Sequence, residues 1–299
     1  MPSVSINENE QIKADKKVFE FFEQAQDLEG AIRIASWNCA SGFTTQFEHF
    51  KNFMEDRSNY IDILCLQGFP MTNRKKHADV FNLFDTHGFT HVYGEREDEF
   101  YGCNYLKTMT LFKKSFLEKY DVIPEYGHRQ SIVENYHIKL KGIESDSLND
   151  NFMLSNVYLC HGRDKHNILM DMDDYCYEKL GDPYKIVIGD FNYDVHRDFQ
   201  IQALCSVRSM APENVATANG YRADHVLSDI YVETMVDERF TRGTYDGYIK
   251  IPGTHFHQPI YGFFVPREKH TIYKCQEFYD TQKQLGCYKL DHKWEIPCL

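Results

Sequence analysis

With 299 residues, of which 42% are hydrophobic and 15% aromatic, the chain can bury a sizeable core as one large domain or two small ones. Its formal net charge of −12 argues against a broad, non-specific grip on nucleic acid, in which Lys and Arg contacts to phosphate dominate. No apolar run approaches the length of a membrane span. The polar first residues, 1–17, contain no secretory or transit signal.

The cysteines indicate a reducing compartment. There are nine, no two of them form a Cys-x-x-Cys pair, and several lie in strand-like apolar runs. Buried, reduced thiols fit this pattern, and the spacing gives no support to a zinc site. We therefore expect an intracellular protein, cytoplasmic or nuclear.

The predicted elements describe an α/β chain with many strands. A charged leader, residues 1–29, precedes the main domain, and the turn-rich residues 143–151 form a loop. Helices are predicted at 12–28, 45–56, 75–85 and 164–180, and strands at 32–38, 61–67, 90–92, 105–112, 132–140, 153–159 and 185–188. The aromatic-rich residues 266–299 are expected to pack on the domain as an extension.

The strand at 185–188 opens directly onto Gly189-Asp190-Phe191-Asn192. A carboxylate and a carboxamide two residues apart at a strand end can hold a water and a phosphoryl oxygen together. Asp190 can take a proton from the water, and Asn192 can donate to the charged oxygen. Alone, this pattern also fits an ordinary turn.

Four further motifs follow a recognisable order. They are the strand ending in Trp37-Asn38, the strand ending in Leu66-Gln67, the stretch Asp224-His225-Val226, and His257-Gln258-Pro259. In this order and at these separations the chain resembles the endonuclease/exonuclease/phosphatase superfamily, which includes pancreatic deoxyribonuclease. The resemblance covers residues 30–265. It implies a four-layer α/β sandwich with two packed, mainly antiparallel β-sheets flanked by helices.

The resemblance also implies roles for individual residues. Asn38 matches the Asn that helps to order the site, and Asp190 matches the general base. Asn192 matches the residue that donates a hydrogen bond to the phosphate. Asp224 and His257 match an Asp/His pair in which the carboxylate orients an imidazolium against the phosphate. Tyr158 matches the central His or Tyr of the family, with His161 as the less favoured substitute. Each of these residues, taken alone, also fits a structural role such as capping a loop.

Two family positions depart from the pattern. The Leu-Gln strand should continue with the Glu that is the principal Mg²⁺ ligand, and this chain has Gly68. The last motif should read Ser-Asp-His, and this chain has His255-Phe256-His257, so that Phe256 replaces the Asp. Mg²⁺ prefers oxygen ligands, usually carboxylates. The sequence therefore predicts no metal at these positions and no cofactor.

A basic cluster follows Gly68 in the chain. Arg74 and Lys75 begin it, and in the family the corresponding loop often borders the substrate groove, so both are candidate substrate-binding residues. The alternative is a solvated charged face. A second basic candidate is the pair Lys113-Lys114.

Two functions remain open from the sequence. The first is an impaired or inactive phosphoesterase homologue that acts by binding a phosphate-bearing ligand or a protein partner. The alternative is an active metal-dependent phosphodiesterase, nuclease or phosphatase with a rebuilt Mg²⁺ site, using a carboxylate such as Asp194 or Asp198. The loss of both metal carboxylates favours the first function. The net charge disfavours nucleic acid as the partner of either.

Overall fold

The structure is a computed structural model that describes residues 8–39, 47–69, 78–92, 107–125, 132–142, 151–159, 180, 183–195, 207–210, 217, 222–237, 257–266, 288–290 and 293–295. Its described helices are α1 (Glu8–Gln26), α2 (Phe47–Arg57), α3 (Ala78–Thr86) and α4 (Lys114–Lys119). None of these helices is long and apolar enough to cross a membrane.

Strands of the first six-stranded sheet come from both halves of the chain. They are β1 (Ile32–Asn38), β2 (Ile63–Phe69), β3 (Phe89–His91), β4 (Lys107–Lys113), β11 (Glu233–Val236) and β12 (Ile260–Phe264). Their order across the sheet is β11-β12-β1-β2-β4-β3. Only β1 and β2 run parallel, and α2 lies in the connection between them. A parallel pair requires such a crossover.

The second sheet also has six strands. They are β5 (Tyr120–Glu125), β6 (Ile132–Leu140), β7 (Asn151–Tyr158), β8 (Tyr184–Asp190), β9 (Arg208–Ser209) and β10 (Asp224–Ser228). Their order is β5-β6-β7-β8-β10-β9, and only β7 and β8 are parallel. In the predicted C-terminal extension, β13 (Tyr288–Leu290) pairs with β14 (Lys293–Glu295) as an antiparallel hairpin. Its packing on the domain stays a prediction.

Three apolar clusters build the layers. The first joins the outer face of the first sheet to α1, α2 and α3, through residues such as Phe22, Phe53 and Phe84. The second fills the space between the sheets, and the third covers the outer face of the second sheet. Burial of these faces is what drives two sheets and their helices together. The predicted sandwich of two mainly antiparallel sheets flanked by helices is confirmed.

A buried ion-pair network around Arg57 links helices α1 and α2 to the first sheet. Arg57, at the end of α2, is only 1% exposed, and its guanidinium contacts Asp237 at 3.4 Å and Asp15 of α1 at 2.8 Å. The hydroxyl of Tyr261 donates to the same Asp237 carboxylate at 2.9 Å. Because a buried charge is costly without a partner, this network is expected to hold α1 against the core.

The sequence missed several elements and predicted others closely. Helix α4 and strand β5 were not predicted, although they form a continuous helix-strand unit between β4 and β6. The short strands β9, β11, β13 and β14 were not predicted either. The predicted helices at 12–28, 45–56 and 75–85 correspond to α1, α2 and α3. The predicted helix at 164–180 lies outside the described residues except for its last position.

Candidate phosphate-binding site

Strand direction brings the predicted site residues to one edge of the sandwich. Asn38 ends β1 and Tyr158 ends β7, opposite Asp190 at the end of β8. Asp224 begins the antiparallel strand β10, where it also pairs with Asp190. His257 lies three residues before β12, which runs antiparallel to β1. The predicted convergence is therefore found for these residues.

Gly189 allows β7 and β8 to approach at this edge. It pairs with Val157, and a Cβ on Gly189 would lie 2.0 Å from the carbonyl oxygen of Val157. Its φ of +144° is also unfavourable for residues with a side chain. The glycine of the Gly-Asp-x-Asn motif is therefore required by the packing of the strand that carries Asp190.

The Asp190 carboxylate is completely buried and receives three hydrogen bonds. The backbone N–H of Asn192 donates to Oδ1 at 2.7 Å. The Asn38 amide donates to Oδ2 at 2.7 Å, and the Asn192 amide donates to the same oxygen at 3.1 Å. Because Asn38 belongs to the first sheet and Asp190 to the second, their contact also joins the two sheets.

The backbone of Asn192 has a φ of +54°, the one positive φ at a non-glycine residue among those described. Asparagine tolerates this left-handed region better than most residues, at some cost in energy. The Asn192 amide compensates by donating to the carbonyl of Leu159 at 2.8 Å as well as to Asp190. The turn after β8 is thus fixed in a conformation that points Asn192 at the carboxylate.

Asp224 and His257 form a buried pair. The Nδ1 of His257 donates to Oδ2 of Asp224 at 2.6 Å, and its Nε2 lies 3.8 Å from Oδ2 of Asp190. The imidazole is therefore directed from one carboxylate toward the other. The remaining oxygen of Asp224, Oδ1, is buried without a hydrogen-bond partner.

Burial and neighbouring charges shift the pKa values of this site. Burial would lower the pKa of His257, but the charge of Asp224, its hydrogen bond and the charge of Asp190 outweigh burial and raise it to about 9. Burial, followed by the charge of Asp224, raises the pKa of Asp190 to about 6, against the opposing effects of His257 and the hydrogen bonds. At neutral pH the site therefore holds an imidazolium between two carboxylates.

The fold is shared with several solved structures. The truncated TDP2 of Caenorhabditis elegans is 16% identical with a TM-score of 0.50, and the match covers 79% of this chain and 97% of that one. An endonuclease/exonuclease/phosphatase from Bacteroides vulgatus is 13% identical with a TM-score of 0.52, covering 79% and 99%. ANGEL2, described as a 2′,3′-cyclic phosphatase, is 12% identical with a TM-score of 0.52, covering 80% and 96%.

The chain has the endonuclease/exonuclease/phosphatase fold. Its sequence matches no protein-family model and no curated protein. At these low identities the structural likeness establishes the fold, so the function has to be argued from the site itself.

Gly68 is the residue that the sequence predicts in place of the family's metal-binding Glu. This residue is buried, and its φ of +70° falls in the left-handed region that favours glycine. The pairing of β2 with β4 is irregular between Leu66 and Phe69, as in a β-bulge. The backbone at this position therefore has a conformation that favours glycine over a residue with a side chain. Phe256 lies outside the described residues.

The described residues do not fit a Mg²⁺ site. Asp190, Asp224 and His257 have potential ligand atoms within 4.8 Å of one another. However, both oxygens of Asp190 already accept N–H donors, and the imidazolium of His257 has no lone pair to offer a cation. Of the three residues, only Asp224 has an oxygen, Oδ1, without a hydrogen-bond partner. The set also lacks the several oxygen ligands that Mg²⁺ prefers.

Other predicted residues are only partly located. Tyr158 is half-buried at the end of β7. Arg74, Lys75, His161 and Asp198 lie outside the described residues. Asp194, suggested as a replacement metal ligand, instead forms an ion pair with Arg222 at 3.1 Å. Lys113 and Lys114 lie at the opposite end of β4 from the site, where Lys114 pairs with Asp85 at 2.6 Å.

A second polar cluster resembles a Ser-His-Asp triad but has the wrong geometry for nucleophilic catalysis. Ser209 Oγ lies 3.3 Å from Nδ1 of His225, and Asp194 lies 4.0 Å from its Nε2. Nε2 contacts both the backbone N–H of Val195 and the carbonyl oxygen of Tyr193 at 3.2 Å. At 4.0 Å Asp194 is beyond hydrogen-bond range of the ring, and His225 and Ser209 are both buried. Burial lowers the pKa of His225 to about 4.

Sequence reasoning missed the residues that support the site. Trp37 and Thr217 hydrogen-bond to the backbone near His257 and Asp224. Gln67 and Asn156 form a buried hydrogen bond of 2.7 Å between the two sheets. Trp37 and Gln67 stood within recognised motifs, but those motifs gave no indication of their partners. For Thr217 the sequence contains no signal.

Proposed function

We propose that the cleft binds a phosphate group without a divalent metal, and that this chain is a phosphoesterase-fold protein whose hydrolytic activity is impaired or lost. The observation that carries the proposal is the buried Asp224–His257 pair directed at Asp190. The Asp224–His257 pair is intact, whereas Asp190, Asp224 and His257, the one group of potential metal ligands among the described residues, offer fewer oxygen ligands than Mg²⁺ prefers.

The proposed roles follow from the donors and charges. The imidazolium of His257 supplies the positive charge and a donor at Nε2 for a phosphate oxygen. Tyr158 is a further potential donor through its phenol, whereas the Asn192 amide already donates to Leu159 and Asp190 and acts by holding Asp190. Asp190 opposes the anion when ionised, and with its pKa raised to about 6 it is neutral in mildly acidic solution. Arg74 and Lys75 are proposed to contribute to the rim of the cleft.

Without the metal, catalysis loses its strongest source of charge stabilisation. A bound divalent ion stabilises the transition-state charge and activates water in phosphoryl transfer. Asp190 could still accept a proton from water, but it is saturated by hydrogen bonds and faces an uncompensated anion. Binding is therefore the better-supported function, and the ligand is proposed to carry a phosphate monoester or diester.

Sulfate is the sharpest probe because its charge stays constant across the relevant pH range. In the presence of EDTA, its affinity is expected to be highest below the Asp190 pKa of about 6. It should fall as Asp190 ionises, and fall again as His257 loses its proton near pH 9. Calorimetry on the unmodified chain and on His257→Gln measures this, with inorganic phosphate as a second ligand.

A matched control is His137→Gln. His137 is also buried, but it lies on β6 and contacts Asn151. It should leave sulfate affinity unchanged, whereas His257→Gln should abolish it. Absence of binding at acidic pH would overturn the proposal. Binding or hydrolysis that requires Mg²⁺ or Mn²⁺ would instead support the active enzyme with a rebuilt metal site.

A further inference from the structure

The peptide group between His257 and Gln258 is held at both of its polar atoms. The indole Nε1 of Trp37 donates to the carbonyl oxygen of His257 at 2.9 Å. The backbone N–H of Gln258 donates to the carbonyl oxygen of Thr217 at 2.7 Å. Because this peptide carries the Cα of His257, fixing its plane limits the directions that the imidazole can take.

Thr217 also holds the partner of His257. Its hydroxyl accepts hydrogen bonds from the backbone N–H groups of Ala223 and Asp224, both at 3.0 Å. Thr217 is only 1% exposed, so these contacts are shielded from water. One residue therefore fixes the backbone on both sides of the 2.6 Å contact between Asp224 and His257.

Trp37 is itself fixed by the helix layer. Its ring packs against Phe53 of α2 at a centroid distance of 4.9 Å and against Phe50 at 6.0 Å. The next residue along β1 is Asn38, which binds Asp190. The last two residues of β1 thus contact both His257 and Asp190, the groups whose side chains lie 3.8 Å apart.

From this arrangement we infer that Trp37 and Thr217 are positioning residues, which hold the Asp224–His257 pair in register with Asp190. The inference rests on the phosphate-binding function proposed above. It adds that the direction of the His257 Nε2 donor is set by two hydrogen bonds of the His257–Gln258 peptide group, one with Trp37 of β1 and one with Thr217. Neither residue has to touch the ligand.

Two variants remove these hydrogen bonds, and Thr217→Val does so with little change in volume. Trp37→Phe keeps an aromatic ring against Phe53 and removes the indole N–H. Thr217→Val keeps the branched side chain and removes the hydroxyl that holds Asp224. Each is expected to weaken sulfate binding about 3- to 10-fold, the usual effect of one hydrogen bond. Each should also shift the ring nitrogen resonances of His257 in NMR spectra.

Controls separate positioning from packing. Phe116→Leu removes a buried aromatic ring from α4, at the end of β4 opposite the site, where Phe116 packs on Phe112 and Tyr120. It should lower the melting temperature and leave sulfate affinity unchanged. Thr217→Ser restores the hydroxyl and should restore both the affinity and the His257 resonances. If Thr217→Val does not fold, Trp37→Phe and Thr217→Ser carry the test.

The inference fails if Trp37→Phe lowers the melting temperature as Phe116→Leu does while sulfate affinity and the His257 resonances stay unchanged. Failure of the proposed function looks different, because the unmodified chain would then bind no sulfate under any condition. In that case the His257 resonances provide the test: a shift in Trp37→Phe but not in Phe116→Leu supports positioning, and no shift in either refutes it.

Discussion

Replacing Asp224 by Asn is expected to convert His257 from a charged to a neutral residue at neutral pH. The Asp224 carboxylate lies 2.6 Å from Nδ1 of His257. It supplies both the largest charge effect and the hydrogen bond that raise the pKa of His257. Asn keeps a similar shape and an oxygen acceptor but removes the charge.

The magnitude follows from the pKa. A rise from the ordinary 6.5 to about 9 corresponds to about 3 kcal/mol in favour of the protonated form. His257 is buried, so little of this energy is screened by water. With the Asp224 charge removed, burial opposes protonation and only Asp190 supports it. The pKa of His257 in Asp224→Asn is therefore expected to fall below 7.

The same change should alter how stability depends on pH. Because the folded pKa of His257 lies above its unfolded value, its contribution is fully present below about pH 6.5 and is lost as the pH rises through about 9. Asp190 also has a raised folded pKa, so its contribution is lost between about pH 4 and 6. Asp224→Asn should remove most of the loss of unfolding free energy above pH 6.5.

Histidine NMR over this pH range, together with urea unfolding, measures both effects. Asp194→Asn is the matched control, because it removes a carboxylate next to β10 whose ion-pair partner is Arg222. It should leave the titration of His257 unchanged. A His257 pKa that stays near 9 in Asp224→Asn would refute the assignment of its charge to this pair.

Three further substitutions test the scaffold. Gly189→Ala is expected to cost more than about 4 kcal/mol of unfolding free energy, because its Cβ would lie 2.0 Å from the Val157 carbonyl oxygen; preserved stability in urea would contradict this packing. Gly68→Glu should cost more than about 1 kcal/mol, because a side chain at a φ of +70° is strained and because the added carboxylate enters a buried position. Millimolar Mg²⁺ should not raise its melting temperature, and a metal-dependent rise would show that the described residues can complete a Mg²⁺ site. Arg57→Met should cost about 3–5 kcal/mol because it leaves the buried Asp237 charge without its cation, and a loss below 1 kcal/mol would argue against the network.

The parts of the fold that the sequence predicted are those with strong local patterns. The apolar run before Gly189 and the alternation in β1 marked central strands, and the predicted helix at 45–56 carries an apolar stripe that includes Phe50, Phe53 and Met54. Helix α4 has only six residues and buries Phe116 alone, so it leaves little helical periodicity. Strand β5 is an edge strand whose side chains are all exposed or half-buried, and it contains Pro124. Edge strands carry little of the hydrophobic pattern by which strands are recognised.

The site residues were predictable for a different reason. Asp190, Asn192, Asp224 and His257 were identified because motif order reflects the strand ends that the fold brings together. The hydrogen bonds that support these site residues do not produce a recognisable sequence motif. Trp37 and His257 are separated by 220 positions, and the contact uses a backbone carbonyl that any residue would provide. Such a partner is defined by the tertiary structure alone.

If the cleft binds phosphate without a metal, as proposed above, its hydrogen bonds account for the stability of its carboxylates. A site built around Mg²⁺ would be expected to leave its carboxylates repelling one another when the ion is lost. Here Asp190 is stabilised by Asn38 and Asn192, and Asp224 is neutralised by His257. Gly68 adds no further negative charge. When Asp190 takes up a proton, the cleft holds one imidazolium and one carboxylate instead of two carboxylates, which favours anion binding. Mildly acidic pH, rather than a divalent ion, is therefore the condition under which the cleft should bind phosphate.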